Sequence, residues 1–115
     1  KSRPTGNMCS PGTDVVYQGK IANDHCINSS SKTYDGDQWV KAELIVLGDS
    51  LIKHIIEGDT VLQYSKPQIG GGVVNRFDVK EKINGKLLNS GYIALQSEGQ
   101  PVEFRNIYIK DLSKK

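Results

Sequence analysis

The sequence contains few tryptophan, methionine, phenylalanine, histidine and cysteine residues. Its 115 residues include one tryptophan, one methionine, two phenylalanines, two histidines and two cysteines. No apolar run approaches the ~20 residues of a membrane-spanning helix, so a membrane partner is not predicted. The net charge is only +2, without the clustered basic face that nucleic-acid binding requires, so no nucleic-acid partner is predicted either. A chain of this length is predicted to form one domain, residues 1–115.

The two cysteines, Cys9 and Cys26, lie far enough apart in the sequence to close a substantial loop. A bridge between them would stabilise the fold by about 3 kcal/mol if it acts by restricting the unfolded chain. Two buried free thiols are the alternative, and a metal site is disfavoured because the chain has no C-x-x-C spacing. The disulfide is the preferred interpretation, and it predicts a periplasmic or secreted protein.

Alternating apolar and polar residues predict an all-β, antiparallel fold. Three strand patterns follow one another, with tight turns expected at residues 48–49 and 58–59. Short turns between alternating strands are typical of an antiparallel meander. The three patterns span residues 38–47, 51–57 and 60–65.

The remaining segments are less regular. A short strand is predicted at residues 15–17, and a long surface loop at 23–36, which is rich in Asn, Ser and Asp. Proline has no N–H to donate to a neighbouring strand, so we expect Pro67 to end the third strand of the meander. A short helix is predicted near residues 77–83, and no sustained helical periodicity appears elsewhere.

The last part of the chain, residues 91–112, has two apolar strand patterns separated by a polar turn at 97–101. The second pattern contains Glu103 and Arg105, which share one face if the segment is a strand. The two charges either neutralise each other or line a polar site. The apolar side chains switch from one face of the strand to the other in this segment. We therefore expect a β-bulge at Arg105 and Asn106, a feature that often lies beside functional sites.

Polar residues of this segment are the first candidates for a functional site. The Arg105 guanidinium offers a rigid fork of donors for hydroxyl, carboxylate or carbonyl oxygens, with a structural ion pair to Glu103 as the alternative. Gln96 ends the preceding strand pattern. Glu98 lies in the turn and would serve as an acid or base only if its environment raised its pKa; an exposed turn residue is the alternative.

Three ring-bearing side chains are further candidates. His54 shares a face with Ile52 and Ile56, which favours a core position over a ligand contact. His25 lies in the polar loop beside Cys26, and loops carry function more often than strands do. Trp39 provides the best aromatic platform for a sugar ring, but its place at the start of an alternating strand favours a core position.

Several motifs together resemble a known family. Residues 91–96 read Gly-aromatic-Ile-x-Leu-Gln, and residues 102–107 read Val-Glu-Phe-Arg-Asn-Ile. Both are similar to the ending of the 3-keto-disaccharide hydrolase domain family, and residues 3–13 and 36–60 are similar to a subgroup of it. The motifs occur in the expected order, and many relatives carry His where this chain has Glu98.

The resemblance implies an antiparallel β-sandwich of the concanavalin A-like jelly-roll type. It covers the later part of the family's domain, so we expect the sandwich to be incomplete at its N-terminus. Strand edges without partners invite pairing with other strands. They would be covered by a missing N-terminal segment, by a second copy in a homo-oligomer, or by another partner.

The resemblance also implies a carbohydrate partner and cleavage of 3-keto-glycosides. A base would remove a proton beside the ketone, and a donor would stabilise the enolate oxygen. Glu98 or His25 is the predicted base and Arg105 the predicted donor, with substrate-binding roles for Gln96, Glu103, Trp39 and His54. No metal or cofactor is predicted. A non-catalytic, lectin-like module and a strand-exchanging assembly fragment are the alternatives.

Overall fold

A computed structural model describes residues 3–10, 12–22, 24–70, 83–97 and 101–112. Every regular element in these ranges is a β-strand, and all strand pairs are antiparallel. The prediction of an all-β, antiparallel fold is therefore confirmed. The described residues contain no helix that is long and apolar enough to span a membrane. The predicted helix near 77–83 lies outside the described residues except for its last residue, and Glu98 also lies outside them.

In the described ranges, seven strands form two sheets. In chain order they are β1 (Met8–Cys9), β2 (Thr13–Tyr17), β3 (Lys20–Ala22), β4 (Cys26–Ile27), β5 (Ala42–Leu47), β6 (Leu51–Ile56) and β7 (Asp59–Ile69). The larger sheet has the order β3-β2-β7-β6-β5, and β1 pairs with β4 in the smaller sheet. The predicted surface loop at 23–36 thus contains a short strand.

The predicted meander corresponds to β5, β6 and β7. Gly48 lies in the turn between β5 and β6 with a φ of 58°, and Glu57 and Gly58 form the next turn with φ values of 49° and 86°. Positive φ at both central residues gives the turn a twist that matches the flanking strands. The first strand begins at Ala42 rather than at residue 38, which leaves Trp39 in the preceding connection.

Pro67 does not end the third strand, so that prediction is wrong. β7 continues to Ile69 and pairs with β2 in this part, but the register shifts between Asp14 and Val16. Lys66 has a φ of 50° at this irregularity, and its N–H donates to the Asp49 carbonyl at 2.7 Å. A bulge removes the need for a ladder hydrogen bond, which is why proline fits there.

The hydrophobic core lies between the two sheets. Met8 and Ile27 from the smaller sheet pack against Val15 and Leu62 from the larger one. Val15 is the most deeply buried of them, with 1% of its surface exposed. This packing of two antiparallel sheets agrees with the predicted β-sandwich of the jelly-roll type, because such a sandwich buries inward-facing side chains from both layers.

The expected disulfide is present and joins the two strands of the smaller sheet. Cys9 and Cys26 stand opposite each other in the register of β1 and β4, with 4.1 Å between their Cα atoms. The Ser10 N–H donates to the His25 carbonyl at 3.0 Å just beyond the pair. Strands of two residues bury little surface, so the covalent bond is what holds this layer over the core.

The two strands predicted at the C-terminus are not formed. Residues 91–97 and 101–111 have no strand pairing, and their side chains are exposed. Ile109 is 93% exposed although its sequence pattern is that of a buried strand. Asn106 has a φ of 54°, so the backbone irregularity falls at the predicted bulge position although no sheet surrounds it. An alternating pattern indicates which side chains a strand would bury, but not whether a neighbouring strand is available.

The disulfide should contribute measurably to stability. Replacing both cysteines, Cys9→Ser with Cys26→Ser, removes a crosslink that closes a loop with a sequence separation of 17. We expect the free energy of unfolding in urea to fall by about 3 kcal/mol, because the unfolded chain regains conformational freedom. Adding a reductant to the native protein should reproduce the loss, and adding it to the double variant should change nothing. An unchanged unfolding midpoint in both cases would contradict this role.

Candidate functional site

Trp39 and Arg105, two of the predicted site residues, are in direct contact. The Arg105 Cζ atom lies 3.8 Å from the centroid of the Trp39 ring. A guanidinium over an indole face is a favourable cation–π arrangement. Trp39 is 53% exposed, and Arg105 is exposed as well. The prediction that Trp39 fills the core is therefore wrong, and the contact forms an aromatic and cationic surface patch.

Hydrogen bonds on both sides fix the backbone next to Trp39. The Gln38 N–H donates to the Gly36 carbonyl at 3.0 Å, and the Gln38 side-chain amide donates to the Asp35 carbonyl at 2.6 Å. On the other side, the Lys41 N–H donates to a Glu57 carboxylate oxygen at 2.5 Å. The Glu57 N–H returns a hydrogen bond to the Lys41 carbonyl at 2.9 Å. The indole is thus presented by a short, hydrogen-bonded connection before β5.

The other polar residues of the C-terminal segment are exposed. Gln96 and Glu103 lie on the surface of the unpaired chain, and no ion pair joins Glu103 to Arg105 in the part of the chain that the structure describes. The expected neutralisation of the two charges is therefore absent there. Arg105 has the Trp39 ring as its neighbour instead. Its guanidinium donors keep their capacity for an oxygen-bearing ligand.

His54 lies in a half-buried hydrogen-bonded cluster. Its Nδ1 atom is 2.7 Å from the Gly6 carbonyl oxygen, and its Nε2 atom is 2.8 Å from the Tyr64 hydroxyl. A carbonyl oxygen only accepts, so Nδ1 carries the proton, and in the neutral ring the Tyr64 hydroxyl donates to Nε2. The two rings also meet edge to face, with centroids 5.3 Å apart. Both ring nitrogens of His54 are thus engaged inside the protein.

Burial determines the titration of this pair. Desolvation lowers the pKa of His54 below its usual value of 6.5, although the hydrogen bond to Gly6 acts in the opposite direction. Desolvation also raises the pKa of Tyr64 to about 12. Both shifts favour the uncharged forms. A neutral imidazole that accepts a phenolic proton is therefore the stable arrangement near neutral pH.

Sequence reasoning did not identify Tyr64, although a cross-strand rule points to it. His54 stands opposite Leu62 in the register of β6 and β7, and Tyr64 lies two residues farther along β7. Diagonal neighbours on one face of a sheet lie within reach of aromatic side chains. The register was the missing information, because a strand pattern alone does not define which residues face each other.

The structure describes one of the two candidate bases. His25 is exposed beside Cys26 of the disulfide, and its carbonyl is used by Ser10. Glu98 lies outside the described residues, so its catalytic role stays a prediction. No contact in the described ranges joins His25 to Trp39 or Arg105. No group of three or more His, Cys, Asp or Glu side chains within those ranges is arranged to hold a metal ion.

Comparison with known proteins gives one match. A family model described as the 3-keto-alpha-glucoside-1,2-lyase-like domain matches residues 1–110. No curated protein matches the sequence significantly. No solved structure matches the fold significantly. The family match spans nearly all of the chain, including both strands of the disulfide layer, the meander and the Trp39 and Arg105 positions.

The buried state of His54 should make stability depend on pH. Because its pKa is lowered in the folded protein, the unfolded chain takes up a proton more readily as the pH falls below 6.5. The contribution of His54 is thus complete above that value and is lost as the pH falls toward the lowered pKa. We expect the urea midpoint of the native protein to decrease between about pH 7.5 and about pH 5, and His54→Gln to reduce this decrease.

His25→Gln is the matched control, since it removes the other, exposed histidine. It should keep the pH dependence of the native protein. Equal slopes of the urea midpoint against pH for the native protein and for His54→Gln would show that His54 does not titrate differently on folding.

Proposed function

Because the chain belongs to the 3-keto-alpha-glucoside-1,2-lyase-like domain family, we propose that it is a carbohydrate-active protein that cleaves 3-keto-glycosides. Action on carbohydrate follows from the family. Cleavage of 3-keto-glycosides is supported by one observation, the contact between the Trp39 indole and the Arg105 guanidinium. An aromatic platform beside a cationic donor suits a sugar that carries a carbonyl group.

The chemistry of a 3-keto sugar explains how an indole and a guanidinium could bind the ring and stabilise the enolate. The ketone at C3 acidifies the hydrogen at C2, so a base removes that proton and the electrons form an enolate. The enolate then expels the leaving sugar at C1, and water adds later to the double bond between C1 and C2. Arg105 would stabilise the negative oxygen at C3, because preorganised donors lower the energy of a developing oxyanion.

The remaining roles are assigned from the sequence. Trp39 would stack on the sugar ring, and Gln96 and Glu103 would bind hydroxyl groups. Glu98 or His25 would act as the base, and addition of water would return the proton through the same group. His54 has a different role in this scheme. Because both of its ring nitrogens are bound to Gly6 and Tyr64, it would stabilise the fold rather than bind the sugar.

A non-catalytic sugar-binding module is the second candidate. The exposure of Trp39 favours it, because a stacking platform alone is enough for binding. The two candidates differ in turnover and not in affinity, so an activity measurement separates them.

Activity on 3-keto-trehalose, followed as release of free sugar, tests the proposed reaction. We expect Arg105→Ala to lower kcat by roughly 100- to 1,000-fold, the usual effect of removing one oxyanion donor. We expect Trp39→Ala to raise KM, by about tenfold if stacking and ring burial contribute ~1.4 kcal/mol. Lys110→Ala, which removes an exposed cation from the same segment, should leave both constants unchanged.

Three outcomes distinguish the readings of that experiment. Unchanged cleavage by a folded Arg105→Ala protein would refute the assignment of the enolate donor. Binding of the keto sugar without release of product would establish the sugar-binding module instead. Equal effects of Arg105→Ala and Lys110→Ala would show that the charge acts only at long range.

We further propose that a second copy of the chain covers the open edge of the larger sheet. In the described part of the chain the sheet order ends at β5, whose Leu44 and Val46 side chains are each 40% exposed. The described residues 91–97 and 101–112 form no strand, and they expose several large apolar side chains. Exposed strand edges with apolar side chains favour pairing with another strand.

The mass of the protein in solution tests this assembly. We expect light scattering to give the mass of two chains at high concentration, and Val46→Lys to return it to one, because a lysine at a strand edge opposes pairing. Ile21→Lys is the matched control, since it places the same charge on β3 at the opposite edge. It should leave the dimer intact. A strict monomer of the native chain would contradict the proposal.

The disulfide is evidence about the compartment in which the protein is located. Disulfides persist in oxidising compartments and are rare in reducing ones. The bond between Cys9 and Cys26 therefore supports a periplasmic or secreted location. This location also fits a carbohydrate partner that is encountered outside the cytosol.

A further inference from the structure

A second polar surface is lined by residues other than Trp39 and Arg105. It is a groove of about 510 Å³, and its walls include Tyr17, Gln18, Asn28, Ser30, Thr60 and Gln63. The volume falls within the ~300–1,000 Å³ that is usual for small-molecule sites. None of the predicted site residues is among its described walls. We call this surface the polar groove.

The groove exists because β2 and the segment around Ser30 both contact β7 but leave a gap between their contacts. The register between β2 and β7 ends at the pair of Val16 and Ser65. At the other end of the gap, the Ser30 N–H donates to the Val61 carbonyl at 2.8 Å. Alternate residues of a strand direct their backbone groups to the same edge, so Gln63 lies in the interval between these two contacts. The opening is thus a consequence of the strand pairing.

The walls offer both donors and acceptors that the protein does not use. No hydrogen bond from the described part of the chain involves the Gln63 side-chain amide or the Thr60 hydroxyl. Asn28 accepts from the Asn7 amide through Oδ1 at 3.1 Å, which leaves its own NH₂ group for a ligand. The Tyr17 hydroxyl accepts a long hydrogen bond from Gln18, at 3.4 Å, and keeps its proton available.

The groove lining, over the residues that the structure describes, carries no charged side chain. An ionic ligand would give up part of its hydration in this open groove without gaining an opposite charge, which is unfavourable. A ligand that carries many neutral hydroxyl groups fits better, because each hydroxyl both donates and accepts and amide side chains do the same. We infer that the polar groove binds a neutral saccharide unit, with the Gln63 and Asn28 amides as its main hydrogen-bonding groups and Tyr17 as an aromatic wall.

This inference rests on the proposed function in one respect, the carbohydrate class of the ligand. It adds a separate binding surface, which would hold an uncharged sugar unit. Arg105 gives the Trp39 patch a positive charge, whereas the described walls of the groove are neutral. The two surfaces therefore differ in what they select, a carbonyl-bearing ring in one case and an unmodified ring in the other.

Amide resonances of the ¹⁵N-labelled native chain provide the test. The probes are trehalose and methyl α-glucoside, with glucose 6-phosphate and glucosamine as charged counterparts. We expect the neutral probes to shift the side-chain amide signals of Gln63 and Asn28 in a saturable way, and the charged probes to bind more weakly. Gln63→Ala and Thr60→Val should each weaken binding roughly three- to tenfold, the usual effect of losing one neutral hydrogen bond.

Asn89→Ala is the control, because it removes an exposed amide that does not line the groove. It should leave the affinity unchanged. Neutral probes that shift the Trp39 indole signal but none of the groove amides would overturn this inference and leave the proposed function intact. Charged probes that bind the groove as tightly as neutral ones would overturn it too. Absence of any saccharide binding would refute the groove, while release of sugar from 3-keto-trehalose would still decide the proposed function separately.

Discussion

The pairing of β7 with two different strands is the constraint on which the rest of the structure depends. Along residues 59–64 it pairs with β6, and along residues 65–69 it pairs with β2, so it connects the meander to the N-terminal hairpin. The irregular backbone at Lys66 and Pro67 lies where the strand passes from one neighbour to the other. One bulged strand thus unites the sheet, and the disulfide layer covers the core on the face that this strand creates.

The same arrangement determines which side chains remain available to a ligand. β6 and β7 direct His54 and Tyr64 inward, where burial keeps both uncharged and their hydrogen bonds are used within the protein. Ligand-binding groups must therefore come from the connections and the sheet edges. Trp39 lies in such a connection, and the polar groove lies at an edge. A rigid sheet that presents loop residues is the usual division of roles in proteins.

The parts of the fold that sequence predicted correctly are those determined by neighbouring residues. The turns of the meander and the inward position of Ile52 and Ile56 follow from local spacing. The predictions that failed depend on distant partners. The bulge that accommodates Pro67 requires the shifted register of β2, and the C-terminal strands require a neighbour that is not there in the described chain. The contact between Trp39 and Arg105 likewise depends on tertiary structure. The sequence therefore indicated both as site residues but did not indicate that they touch.

The two surfaces suit different kinds of sugar ring. The proposed cleavage beside a ketone would need a fixed positive charge at one oxygen, and a guanidinium held against an indole would provide it at little entropic cost because the ring limits its motion. A charge at the unmodified sugar would only add a desolvation penalty, so a neutral groove of amides and hydroxyls is better suited to it. On these grounds, selectivity for an oxidised ring and binding of an unmodified ring would depend on different residues. Substitutions at Arg105 and at Gln63 should then affect turnover and affinity separately.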